Sequence, residues 1–372
     1  MNAQAVLEKC TSKYGFLASA TNKDNYKRVF ARDGVIIGLA TLLTKERKFI
    51  DTFRRTLETL AQFQGEHGEI PSNVDVENNK VSFGQTAGRV DATLWFVIGI
   101  GEYLRGTKDE EFVWRYLPQI RKSIFLLGCW EFNQKGFIYS PQGGDWADEY
   151  INAGYVLYNQ LLYYKALLSY KFIENNVLDL EDKILKLKNM INANFWPTEV
   201  NKFIYHDSIF RFLRARKEQD FYISSFTPGA YVRTFDSFAN ALAILFGIAD
   251  EERADKIINY VETNFWGMIP AFFPPICEED PEWRLLQSNY SFCFKNFPGN
   301  YHNGGLWPLT TGLMIAAMRK VGRQDLAEYY FNVLTNFISK GFYEYFDADT
   351  YEPKGVENLG MSAAGLIFAH YD

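Results

Sequence analysis

Carboxylates sit beside large aromatic residues at several points along this 372-residue chain. Asp145-Trp146-Ala147-Asp148-Glu149 puts three carboxylates into five residues around an indole, and Tyr343-Glu344-Tyr345 sets a glutamate between two phenols. Arg32-Asp33-Gly34, Asp91 with Trp95, and Tyr301-His302-Asn303-Gly304-Gly305 with Trp307 repeat the mixture of charge, amide and ring. A sugar needs such neighbours, because its C–H face packs on indole or phenol while its hydroxyls require paired donors and acceptors. Crowded carboxylates repel one another, so the run Asp145–Glu149 predicts that one of its acids is pushed up toward the pKa of a general acid. Asp148 in that run and Glu344, in a loop that Gly341 and Gly355 can bend, are the two candidates for acid and base work. Asp33 and Asp91 have a second explanation as N-caps or first-turn acids of helices, and Trp146 and Trp307 as core residues, although both follow glycine pairs.

Other chemistries lack their residues. His206 and His302 have neither an i, i+4 partner nor carboxylates at ligand spacing, so no metal is expected. No nucleophile elbow, phosphate-binding loop or dinucleotide fingerprint occurs, and no cofactor is expected. With 39 Lys+Arg against 45 Asp+Glu the net charge is −6, which lacks the basic excess of a nucleic-acid binder and suits a small carbohydrate partner. Cys10, Cys129, Cys277 and Cys293 are scattered without CxxC spacing, as for free thiols in a reducing compartment. Gly, Glu and Arg interrupt even the apolar stretch Leu94–Leu104, and Met1–Cys10 has no basic-then-apolar signal pattern, so no membrane association and a cytoplasmic location are expected. The 32 Phe, 23 Tyr and 8 Trp exceed what a core requires, which leaves rings to line a binding surface.

Helices must position these groups, since apolar residues recur at helical spacing nearly everywhere and sustained strand-like alternation is absent. Pairs are expected at Asp33–Leu43 with Arg47–Gln64, Val90–Arg105 with Glu110–Phe132, Val156–Asn175 with Leu180–Phe195, Phe235–Ile248 with Glu251–Phe265, and Gly305–Val321 with Gln324–Ile338. Helices at Ala3–Lys13 and Ser362–His370 form a sixth pair. Loops within pairs are short and loops between pairs are long, which gathers the long ones on one rim. Irregular hairpin spacing without a repeat consensus disfavours a solenoid. The expectation is an all-α fold, a single (α/α)6 toroid over residues 1–372. The first helix of each pair is the less charged and should be the inner one, so each long loop delivers its residues to an inner N-terminus at the mouth of the cavity.

The runs Val29–Gly34, Gly68-Glu69-Ile70-Pro71, Gly88–Trp95, Tyr301–Pro308 and Tyr343–Tyr345 resemble, in order, blocks of the neutral/alkaline invertases and of the amylo-α-1,6-glucosidase domain of debranching enzymes. That resemblance implies a toroid glycosidase with Asp148 as general acid and Glu344 as general base, an inverting displacement at an α-glycosidic bond. By residue type and by position at the inner helix starts and in the rim loops, Arg32, Asp33, Asp91, Trp95, Asp145, Trp146, His302, Asn303, Trp307 and Tyr343 are expected to form the sugar subsite. The chain departs from those families at Val156–Gln160, where an acidic residue is usual. The loop Trp196–Thr234, with Arg211, Arg214, Arg216 and Lys217, is either a lid or a solvated turn. A sugar epimerase or polysaccharide lyase on the same toroid, and a non-catalytic carbohydrate-binding scaffold, are the alternatives. Scarcity of histidine weighs against the first two, and the clustering of carboxylates with tryptophans against the third.

Overall fold

A computed structural model describes residues 2–84, 87–198, 201–208, 211, 219–228 and 231–371. Twelve principal helices among the described residues are α1 (Ala3–Cys10), α2 (Ala31–Thr44), α3 (Arg47–Gln62), α4 (Val90–Thr107), α5 (Leu117–Cys129), α6 (Leu157–Ile173), α7 (Leu180–Phe195), α8 (Ser237–Leu245), α9 (Glu251–Asn264), α10 (Pro308–Lys320), α11 (Gln324–Ile338) and α12 (Gly360–His370). The even-numbered helices form a closed ring. Each packs on the next, from α2 through α4, α6, α8 and α10 to α12, which returns to α2.

Residue chemistry sorts the helices between ring and exterior. Nearly every residue of α4 from Val90 to Gly101 is buried, as a helix surrounded on all sides requires. By contrast α3 buries Phe49, Thr52, Phe53, Thr56, Leu57 and Leu60, at spacings of three and four, and turns its charges to water. The expected helix Glu110–Phe132 is broken, with Glu110–Arg115 separate from α5, because Pro118 fits only the first turn of a new helix.

The all-helical expectation needs one correction, for the rim carries short antiparallel strands. Val29–Phe30, Asn73–Asp75 and Lys80–Ser82 form one sheet, and Tyr155–Val156, Ile223–Phe226, Tyr231–Asp236 and Phe272–Phe273 another. Strands of two to six residues are too short to register as alternation. Several end at the residue where an inner helix begins, so the backbone ladder fixes the loop that carries the polar residues. The described part of Trp196–Thr234 supplies two strands of the larger sheet. Arg211 is exposed, whereas Arg214, Arg216 and Lys217 lie outside the described residues.

The crossing of α10 with α12 relies on two glycines, Gly312 in α10 and Gly365 in α12. A Cβ on Gly312 would overlap the Gly365 carbonyl oxygen. Gly312→Ala should therefore push α10 from α12 and lower stability by about 1–3 kcal/mol, the usual cost of overpacking. Denaturant unfolding measures this, and an unchanged midpoint would mean that the ring is slack there.

Candidate active site

The inner N-termini converge on one cavity of about 1000 Å³ of space, counting its open mouth. Arg32, Asp33, Trp146, Asp148, His302, Trp307 and Glu344 all line it. Asp148 is ion-paired to Arg89, Nη2 to Oδ2 3.0 Å, and lies 4.0 Å from the Arg32 Nη2. Burial alone would raise its carboxyl, but Arg89 and then Arg32 outweigh that effect and hold it below the ordinary carboxylate value. The crowding argument therefore fails for Asp148. In the same run Asp145, chiefly through burial and then Asp236, and Glu149, through burial, are the acids pushed up.

Glu344 is 4% exposed, and burial raises it to about 7 despite a hydrogen bond from the Tyr26 hydroxyl to its Oε1 at 2.6 Å and one from the Val356 amide to Oε2 at 3.3 Å. The two carboxylates feel each other's charge. Between their two titrations the pair thus holds one proton, and it sits on Glu344. Asp33, also buried, is raised to about 6.

Aromatic rings form one wall. His302 stacks on Trp307, centroids 5.2 Å apart and planes within 6°, with the Trp146 edge against both. Burial lowers His302 to about 3, so the imidazole is neutral, and its Nδ1 has no hydrogen-bond partner. A buried nitrogen without a partner, on a residue that lines the cavity, has hydrogen-bonding capacity left over. Tyr301 joins the wall at φ +47°, and the Trp307 indole N–H donates to the Tyr301 carbonyl at 2.9 Å.

Five residues expected in the sugar subsite are not on its wall. Asp91 is 1% exposed behind Arg32, accepting from Arg32 Nη1 at 2.7 Å and from the Tyr158 hydroxyl at 3.2 Å. Trp95 faces a different cavity and donates its indole N–H to Tyr158 at 2.7 Å. Asp145 is fully buried, accepting from the Ala147 amide and Asn152. Asn303 ties the backbone of Ile276 and Asn296, and the Tyr343 ring packs beside Phe346. Asp91 and Trp95 are thus held by neighbouring helices, Asp145 and Asn303 by the bonding of their own loops, and Tyr343 by ring packing, none of which shows in residue type and position alone. The described part of Trp196–Thr234 contributes nothing to the cavity wall.

Tyr26 and Lys295 are on the wall without a motif to announce them. Lys295 comes from the connection before α10, with Ser291 and Phe292, and its ammonium lies 5.0 Å from the Tyr301 ring centre. Among the described residues no group of three His, Cys, Asp or Glu comes together to hold a metal.

With this geometry, comparison with known proteins is decisive. The family described as alkaline and neutral invertase matches residues 2–202 and 178–357. The chain belongs to that family. It is 26% identical to the probable alkaline/neutral invertase F of Arabidopsis thaliana over 382 residues, 87% of this chain and 75% of the relative. It is likewise 26% identical over 412 residues to the mitochondrial neutral/alkaline invertase 1 of Oryza sativa subsp. japonica, covering 93% and 65%. In fold it is similar to the GH63 mannosylglycerate hydrolase of Thermus thermophilus, TM-score 0.70 at 13% identity over 98% of both chains. A bacterial glucoamylase solved with acarbose is similar at TM-score 0.66 and 15% identity, over 99% of this chain and 54% of the other. The (α/α)6 toroid and a glycoside hydrolase activity on small sugars follow from these relations.

Two substitutions separate positioning from packing. Gly355→Ala would drive a Cβ into the Glu344 carboxyl group. It should lower kcat on the order of 100-fold, the effect of displacing a group that faces the reacting bond, on top of a stability loss of about 1–3 kcal/mol for a Cβ at φ +76°. Asp91→Asn takes from the Arg32 guanidinium its carboxylate at 2.7 Å, leaving Asp148 at 4.0 Å, and should cost about 3 kcal/mol, so here stability and activity fall together. Calorimetry beside kinetics checks both, and a stable, inactive Asp91→Asn protein would contradict the buried-pair account.

Proposed function

We propose that this protein hydrolyses a small α-glycoside by inversion, with Asp148 protonating the departing oxygen and Glu344 taking a proton from the attacking water. The observation that carries this reading is the pair of carboxylates with opposed pKa shifts in one aromatic-walled cavity. A base whose conjugate acid titrates near 7 is stronger than an ordinary glutamate, which favours proton abstraction once its proton has moved to the acid. Asp148 needs the pair's single proton. When a sugar takes hydrogen bonds from Arg32 and Arg89, the hold of those guanidiniums on Asp148 loosens, and moving the proton from Glu344 readies acid and base together. Asp33, Trp146, His302 and Trp307 then hold the sugar, with Tyr26 orienting Glu344.

The relatives' names support sucrose, the disaccharide an invertase splits, as the first substrate to assay. Four free cysteines and the similarity to the rice cytosolic invertase 1 support a cytoplasmic enzyme. A second reading exchanges the two roles. It is favoured by the charges of the free enzyme below pH 7, where Asp148 is ionised and Glu344 keeps most of its proton.

Leaving-group dependence distinguishes the readings. Removing the acid spares substrates whose leaving group needs no proton, whereas removing the base slows water attack on every substrate. Asp148→Ala should keep appreciable activity on a glycosyl fluoride but little on sucrose, and Glu344→Ala should lose both until azide is supplied. The opposite pattern would establish the exchanged roles, and equal ratios would remove both residues from the reaction. Either way kcat/KM, which reports the free enzyme, should be level near pH 6. It should fall about tenfold per pH unit above about 7, as Glu344 gives up the proton that the pair needs. A rising limb through pH 7 would contradict a single shared proton.

A further inference from the structure

A second cavity opens at the other end of the ring, among the C-terminal halves of the inner helices. It encloses about 1520 Å³ of space with its mouth, more than the sugar cavity, and all six inner helices contribute to it. Leu39, Leu42, Leu242, Leu313 and Phe368 make its walls apolar, and Trp95 and Phe238 form its floor toward the sugar site, where Phe238 lines both cavities. Leu39, Leu42 and Phe368 are only half-buried, so the space is a hollow that opens widely at its end of the ring.

The polar groups of the mouth are mostly cationic. Among the described residues Lys165, Arg319 and Lys320 stand there with one acid, Glu102. Glu102 is taken by Lys165 at 2.7 Å. Arg319 reaches the exposed Glu328 only at 3.7 Å and otherwise donates to the Ala369 carbonyl and Gln324. Lys320 donates to the Ile244 and Leu245 carbonyls, which close the end of α8, and has no carboxylate partner among the described residues. Carbonyls satisfy its hydrogen bonds without neutralising its charge, and burial together with Lys165 pushes its ammonium below the ordinary value. The mouth therefore carries an excess of positive charge over a large apolar hollow. Apolar walls with a few convergent charged groups are the usual make-up of a small-molecule site.

We propose that this cavity is a second binding site, separate from the sugar site, for an amphipathic monoanion with an aliphatic body and one carboxylate-like head. The body fills the hollow between Leu39, Leu242 and Leu313, and the head lies at Lys320 and Arg319. Neutral sugars fit poorly, since the walls offer their hydroxyls no partners. A polyanion fits poorly as well, because Glu102 stands beside the cations.

Decanoate, kept below its aggregation concentration, and decanol as its uncharged counterpart are the probes, titrated calorimetrically into the full chain. Wild-type protein should bind one decanoate per chain, tighter than decanol. Lys320→Glu should weaken decanoate by about tenfold or more, as loss of a charge-assisted contact does, while leaving decanol and the hydrolysis of sucrose unchanged. Ala316→Trp, which fills the hollow from α10, should abolish both. If that variant does not fold, Lys320→Glu with the decanol comparison still decides. Absence of saturable one-to-one binding, equal decanoate affinity in wild type and Lys320→Glu, or displacement of decanoate by sucrose would each overturn the proposal. So would sedimentation showing a dimer that occludes the mouth.

Discussion

The Arg32 guanidinium joins parts of the rim that the sequence keeps far apart. From the first turn of α2 it binds Asp91 at the start of α4, the Asp145 carbonyl in the connection before α6, and, more loosely, Asp148. Tyr158 on α6 closes the arrangement by donating to Asp91 and accepting from Trp95. A buried ion pair adds little net stability, because desolvating the two charges offsets most of their attraction. Its consequence here is registration. Three inner helices reach the rim with their first turns locked to one cation, and the cavity takes its shape from that lock.

The electrostatic division of the two carboxylates follows from the same arrangement. Asp148 is reached by two guanidiniums, whereas Glu344 has only neutral donors close by and the more distant Lys295. Burial acts on both, and the charged partners decide the sign of the outcome. Backbone geometry keeps Glu344 where it is. Gly341 and Gly355 adopt φ of +129° and +76°, which lets the loop fold back until the Val356 amide meets the carboxylate. No other residue fits at Gly355 without striking that group.

Much of the ring was legible because inner and outer helices differ in the width of their apolar face, a contrast that survives in sequence. Val90–Gly101 reads as a helix buried all round, and α3 as one with a single apolar stripe. The short rim strands were not legible, since two residues of Val29–Phe30 pair through backbone atoms that carry no side-chain pattern. At the site, motif position located Asp148, Glu344, Trp146, His302 and Trp307, which the structure brings to one cavity. The same reasoning did not separate Asp91 and Asp145 from the cavity wall, because an acid that faces a ligand and one that faces a neighbouring arginine or amide look alike in sequence. Lys295 and Tyr26 left no signal at all, being single residues whose role comes from where distant loops meet.

The claim on which this account rests is that the two carboxylates are held at opposite ends of their titration range. It is tested most directly by NMR of protein carrying 13C at the glutamate carboxyl carbon, titrated from pH 5 to 9 in the wild type and in Glu344→Gln. One resonance should titrate near pH 7 in the wild type, as burial of Glu344 requires, and be missing from the variant. If every glutamate carboxyl is already ionised at pH 5.5, Glu344 does not hold the proton. The division of charge described here would then be wrong.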